Sequence, residues 1–87
     1  MKTLGDLIEQ SDHIIKDLRQ IIIDAEYWNG HKPNETPMDI EPERVALALA
    51  VKGNALWRQG LTVEAAACDV VMTDGLERAL EEDGGGS

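Results

Sequence analysis

Val45-Ala46-Leu47-Ala48-Leu49-Ala50-Val51 is apolar on every side of a helix, and Pro42 just ahead of it suits a first helical turn, where its missing N–H has no intrahelical partner to lose. A helix apolar all round is one that its neighbours wrap around, so residues 42–59 are read as the central apolar helix of an all-α domain. Glu41 and Glu43 set negative charge at the positive end of its dipole, and Gly60 ends it. Ala46, Ala50, Gly53 and Trp57 form a row of small residues closing on a large one, which predicts that another helix comes close there. Gly53 costs about 1 kcal/mol relative to Ala in mid-helix, and close backbone approach is the reason to keep it.

Toward the N-terminus, Leu4, Leu7, Ile14, Leu18, Ile21, Ala25 and Trp28 fall at alternating spacings of three and four, with Ser11 the one polar break. Ile8, Ile15 and Ile22 lie beside that seam and widen it to the face of a helix packed on two neighbours. The spacing predicts a long amphipathic N-terminal helix over residues 3–28, stopped by Asn29-Gly30 and followed by a polar, proline-containing loop. Toward the C-terminus, Thr62 is a good N-cap, and Leu61, Ala65, Cys68, Met72, Leu76 and Ala79 keep helical spacing. One helix over residues 62–82 is expected; Thr73-Asp74-Gly75 offers the alternative of a break and a fourth helix. Residues 1–83 are read as a single three-helix domain, and Gly84-Gly85-Gly86-Ser87 as a flexible, linker-like tail.

Three aromatic residues, no Phe and little period-two patterning give no reason to expect strands. At 87 residues and 43% apolar content the chain supports one thin core. Its formal charge is −9, and residues 59–87 carry seven acids against Arg78 alone. Such a chain repels a nucleic-acid backbone and an anionic membrane, so neither is expected as a direct partner. The lone Cys68 excludes an internal disulfide, and with two histidines it cannot make a Cys-rich zinc site. No apolar run nears the ~18 residues that span a bilayer, and a cytoplasmic location is expected.

Leu61-Thr62-Val63-Glu64-Ala65-Ala66-Ala67 leading to Met72-Thr73-Asp74-Gly75-Leu76-Glu77-Arg78-Ala79-Leu80 resembles a helix-turn-helix of the excisionase family over about 20 residues. The resemblance implies a turn near Val71, which stands where that family has glycine. Asp74, Glu77, Glu81 and Glu82 then occupy the recognition helix, where DNA contacts need Arg or Lys, so the shape implied is one reused for protein contact. Glu9, His13 and Asp17, four residues apart, put carboxylate, imidazole and carboxylate along one helix side, which is read as a solvated charged face. Glu9-x-x-Asp12 and Asp74-x-x-Glu77 are similar in spacing to carboxylate pairs of all-α nucleotide pyrophosphohydrolases, whose ExxE pair this chain lacks. Cys68, among Ala65, Ala66, Ala67, Val70 and Val71, is read as a small core residue.

No catalytic, cofactor-binding or metal-ligating set is expected, and no enzyme. What is left is a small acidic module that binds a protein with a basic surface, as an inhibitor or adaptor of the size and charge of phage anti-defence proteins. Asp74, Glu77, Glu81 and Glu82 are the expected electrostatic contacts, and Ile23, Tyr27 and Trp28 the apolar anchors. Ile23 and Tyr27 lie off the main seam and call for a cover: the loop over residues 33–40, a second copy, or a foreign protein. A long heptad helix over a thin core also favours a homodimer, which gives the alternative reading of a dimerisation module.

Overall fold

The computed structural model describes residues 2–31, 34 and 36–85, the last four of these through their backbone alone. Three helices follow in chain order, α1 (Leu4–His31), α2 (Glu41–Arg58) and α3 (Thr62–Gly85), with no strand among the described residues. Both α1 and α3 pack on α2, and among the described residues no Cα of α1 comes within 8 Å of one in α3. The all-α, three-helix expectation holds, with α2 in the middle.

The start of α1 and both ends of α2 have local causes. Thr3 Oγ1 accepts the Asp6 N–H at 3.2 Å while Asp6 Oδ2 accepts the Thr3 N–H at 3.2 Å, a reciprocal box that starts α1. Before α2, Asp39 Oδ1 accepts the Glu41 N–H at 3.0 Å in place of a cap from Ile40. After α2, Gly60 takes φ +78°, its N–H reaches the Trp57 carbonyl at 3.0 Å, and the Leu61 N–H reaches Leu56 at 3.0 Å. That pair of bonds is the Schellman termination.

The centre of the core is Leu18, Ala46, Ala50 and Met72, with Ile14, Ile15, Leu47, Leu49 and Leu76 around it. The predicted small-residue row is the buried stripe of α2: Ala46, Ala50, Gly53 and Trp57. A Cβ on Gly53 would lie 3.4 Å from Asp69 Oδ1, 3.5 Å from the Cys68 Cβ and 3.8 Å from the Ala65 carbonyl, so α3 is the helix that comes close.

Four expectations need correction. α1 does not stop at Asn29-Gly30 but runs to His31, because Gly30 stays out of the left-handed region and Asn29 turns its amide to the loop instead. The buried stripe of α1 is Ser11, Leu18, Ile22 and Ala25; Leu4, Ile21 and Trp28 of the heptad seam stay exposed. Ser11 is tolerated inside because Asn54 Nδ2 donates to its Oγ at 3.2 Å. α2 is not wrapped on all sides, since Val45 and Val51 are exposed. Finally, α3 is continuous through Gly75, the one helix expected there, so among the described residues there is neither the alternative fourth helix nor the turn a helix-turn-helix requires. α3 also continues past the expected residue 82 to Gly85; Gly86 and Ser87 lie outside the described residues.

A 28-residue helix is about 42 Å long at 1.5 Å per residue, and it sets the long axis of a molecule measuring 47 × 26 × 19 Å. The radius of gyration, 14.9 Å, exceeds the about 12 Å of a compact domain this size. Accessible surface is 6337 Å², where a monomer of 9.5 kDa has about 5,000 Å². The layer is open, and side chains a closed bundle would bury stand on its surface.

Candidate partner-binding surfaces

Successive helical residues are 100° apart, which decides how the expected anchors are distributed. Ile23 lines a cavity of about 480 Å³ between α1 and α2, with Ile15, Lys16, Arg19, Val51 and Asn54. Tyr27, one turn on, is 66% exposed and stacks on His31 with ring centroids 3.9 Å apart. His31 Nδ1 lies 2.9 Å from the Tyr27 carbonyl oxygen, a bond the ring donates in the tautomer protonated at Nδ1. No described residue of the loop lines this cavity. Trp28 belongs to the other flank of α1, where it lines a second cavity with Ile21, Asp24, Ala25 and Met38. Met38 is held there by its backbone: its N–H donates to Asn29 Oδ1 at 2.8 Å and its carbonyl accepts from Asn29 Nδ2 at 3.2 Å. The three residues expected as one apolar anchor are therefore divided between two surfaces.

The acids of α3 do come together. Asp74, Glu77 and Glu81, at i, i+3 and i+7, stand exposed on one outward line of the helix. Arg78 offsets only part of this charge: its Nη2 is 3.8 Å from Asp74 Oδ2, between two well-exposed side chains. Glu82 lies on α3, with its side chain outside the described residues. Sequence reasoning missed the other half of the line. Val63, 79% exposed, and Val70, 66% exposed, precede Asp74 at heptad spacing, so positions 63, 70, 74, 77 and 81 make one stripe that begins apolar and ends acidic. A shallow hollow lined by Asp69, Val70, Thr73 and Asp74 marks where the two halves meet. The i, i+7 relation of Val63 and Val70 was the available signal.

The remaining candidates stay apart. Glu9 Oε1 and His13 Nε2 are 4.0 Å apart and both exposed, and among the described residues no three His, Cys, Asp or Glu side chains converge on a metal position. Cys68 is a free, half-buried thiol on the α3 face beside Gly53. No helix among the described residues is long and apolar enough to cross a membrane. No protein-family model matches the chain, and neither a curated protein nor a solved structure matches it.

Proposed function

We propose that the chain is a small acidic protein-binding module that docks on a basic surface of a protein partner as an inhibitor or adaptor. The observation that carries this reading is the stripe on α3: Val63 and Val70, then Asp74, Glu77 and Glu81, exposed along one helix line with no other element of the described chain over it. Apolar and acidic halves divide the work of a docking helix. Charge complementarity speeds encounter and rejects acidic competitors, while buried apolar side chains slow release. A surface that normally receives nucleic acid has the required basic character, which suits an anti-defence or anti-regulator protein of a phage or mobile element. The test is capture by the tagged chain from its native host's lysate at low and high salt. Reversal of Asp74, Glu77 and Glu81 to Lys is expected to abolish capture with helicity unchanged; retention of the captured protein by that variant removes the electrostatic claim.

A second reading, a homodimerisation module, is favoured by the surface of 6337 Å², well above that of a compact monomer. Light scattering across a concentration series separates the two readings: a dimer mass at low micromolar protein supports the second.

A further inference from the structure

Leu18, Ile21, Ala25 and Trp28 continue the heptad seam of α1, yet only Leu18 and Ala25 are buried, while Ile21 is 49% and Trp28 is 41% exposed. A seam at this spacing is shaped to receive the side chains of another helix, and neither α2 nor α3 covers its outer half. The uncovered part is a groove. Its upper section, about 330 Å³, has Ile21, Trp28 and Met38 as walls; its lower section, about 190 Å³, lies among Ile21, Glu43, Leu76 and Leu80, so Ile21 joins the two. From Leu18 to Trp28 the seam runs ten residues, about 15 Å or three helical turns.

The charge in this groove has one sign. Among the described residues, Asp24, Asp39 and Glu43 line it and no Lys or Arg does. Glu43 Oε2 has no hydrogen-bond partner among the described residues and is shut away from water. A carboxylate oxygen in that position carries its desolvation cost with no compensating donor. Because Glu43 lines the lower section and its terminal torsion is broad, a small rotation presents the oxygen to a cation entering the groove.

We propose that this groove between α1 and the C-terminal half of α3 seats a basic amphipathic helix of the partner protein, its apolar residues against Ile21, Met38, Leu76 and Leu80, with one Arg or Lys on Glu43. The inference rests on the reading above that the partner is a basic protein, and it names the element of that partner which binds. A second copy of this chain is the poorer occupant: it brings a formal charge of −9 to an acidic groove.

The probe is a pair of fluorescent 18-residue model helices with the same leucine seam, one flanked by Arg and Lys and one by Glu, titrated by anisotropy at physiological salt. The basic peptide is expected to bind the wild-type chain and the acidic one to fail. Leu80→Glu changes a side chain that is 72% exposed, and Glu43→Gln keeps shape while removing charge. Each is expected to weaken the basic peptide about tenfold, the effect of losing one charge-assisted or apolar anchor, with circular dichroism confirming that both fold. The triple Lys variant of Asp74, Glu77 and Glu81 is expected to weaken it only about twofold, through lost long-range attraction. If the groove variants bind as wild type while the triple variant does not bind, the groove inference is overturned and the acidic-stripe reading stands. Equal binding of both peptides, or of neither, overturns the groove inference, and so does a dimer that Leu80→Glu dissociates.

Discussion

Ala46 and Ala50 of α2 share the core with Leu18 of α1 and Met72 of α3, and Gly53 lets α3 come so close that an added Cβ would lie 3.8 Å from the Ala65 carbonyl; toward α1, α2 turns Asn54, Arg58 and Arg44, which reach out and clip. At one end of the α1 contact, Asn54 Nδ2 donates to Asp12 Oδ1 at 2.8 Å, Arg58 Nη2 donates to both Asp12 oxygens at 3.1 Å, and Arg58 Nε donates to Asn54 Oδ1 at 2.9 Å. Toward the other end, Arg44 Nη2 meets Glu26 Oε1 at 2.7 Å. α1 buries Leu18, Ile22 and Ala25, and α3 buries Ala65 and Met72, so the clips rather than the amount of apolar burial set the two contacts apart. The α2–α3 contact is therefore held by shape and water exclusion, and the α1–α2 contact by geometry that water and salt can contest. Stability should be concentrated on the first, and α1 should be the element that loosens when a partner arrives.

The strongest way to break this comparison is Trp57→Ala. The indole is buried at the end of the small-residue row, and its loss is expected to cost about 3–5 kcal/mol. A chain this long has about 4–13 kcal/mol of total stability, so the variant should be largely unfolded at 37 °C. Urea denaturation followed by circular dichroism measures it; a loss under about 1 kcal/mol would mean that burial along the small-residue row of α2 does not dominate. Next is a pair at Gly53. Gly53→Leu is expected to cost about 1–3 kcal/mol by forcing α3 away. Gly53→Ala should be near neutral, since the Asp69 carboxylate nearest the new Cβ can shift and Ala regains about 1 kcal/mol of helix propensity. Equal effects of Ala and Leu would remove close approach as the reason for glycine.

The α2–α3 contact was legible in the sequence because its signal is local: four positions on one helix, three of them small, state both the face and the separation. The clips were not, since Asp12 and Arg58 are 46 residues apart and any of several acids on α1 has the right chemistry. The two glycine stops show the same limit. Gly60 terminates α2 because an apolar pair, Leu56 and Leu61, flanks it in the Schellman arrangement; the equivalent positions around Gly30 are Glu26 and His31, and the helix passes through. At the candidate sites, the shared face of Asp74, Glu77 and Glu81 follows from helical period alone. The separation of Trp28 from Ile23 and Tyr27 follows from the same 100° step, but which flank of α1 the loop covers depends on Asn29 gripping Met38, a contact no periodicity encodes.

The polar side of the comparison predicts smaller and more condition-dependent effects. Asn54→Ala removes the group that joins Ser11, Asp12 and Arg58, and is expected to cost about 1–2 kcal/mol, with α1 amides exchanging faster than those of α3. Uniform acceleration of exchange across all three helices would show that the helices unfold as one unit and that α1 has no separate looseness.

The smallest effect is at Glu26 and Arg44. Both side chains are about half exposed, so their bond, though short, gains little over what each finds in water. A double-mutant cycle of Glu26→Gln and Arg44→Gln should give a coupling of about 0.2–1 kcal/mol at low salt, falling toward zero in 1 M NaCl, where charges a few ångströms apart are already screened. The same salt should leave the cost of Trp57→Ala unreduced, because indole burial involves no charge to screen and salt, if anything, strengthens it. Opposite salt responses at the two faces of α2 are thus the signature of one contact made by shape and another made by charge; a coupling that survives 1 M NaCl would place the Glu26–Arg44 pair with the packed interface instead.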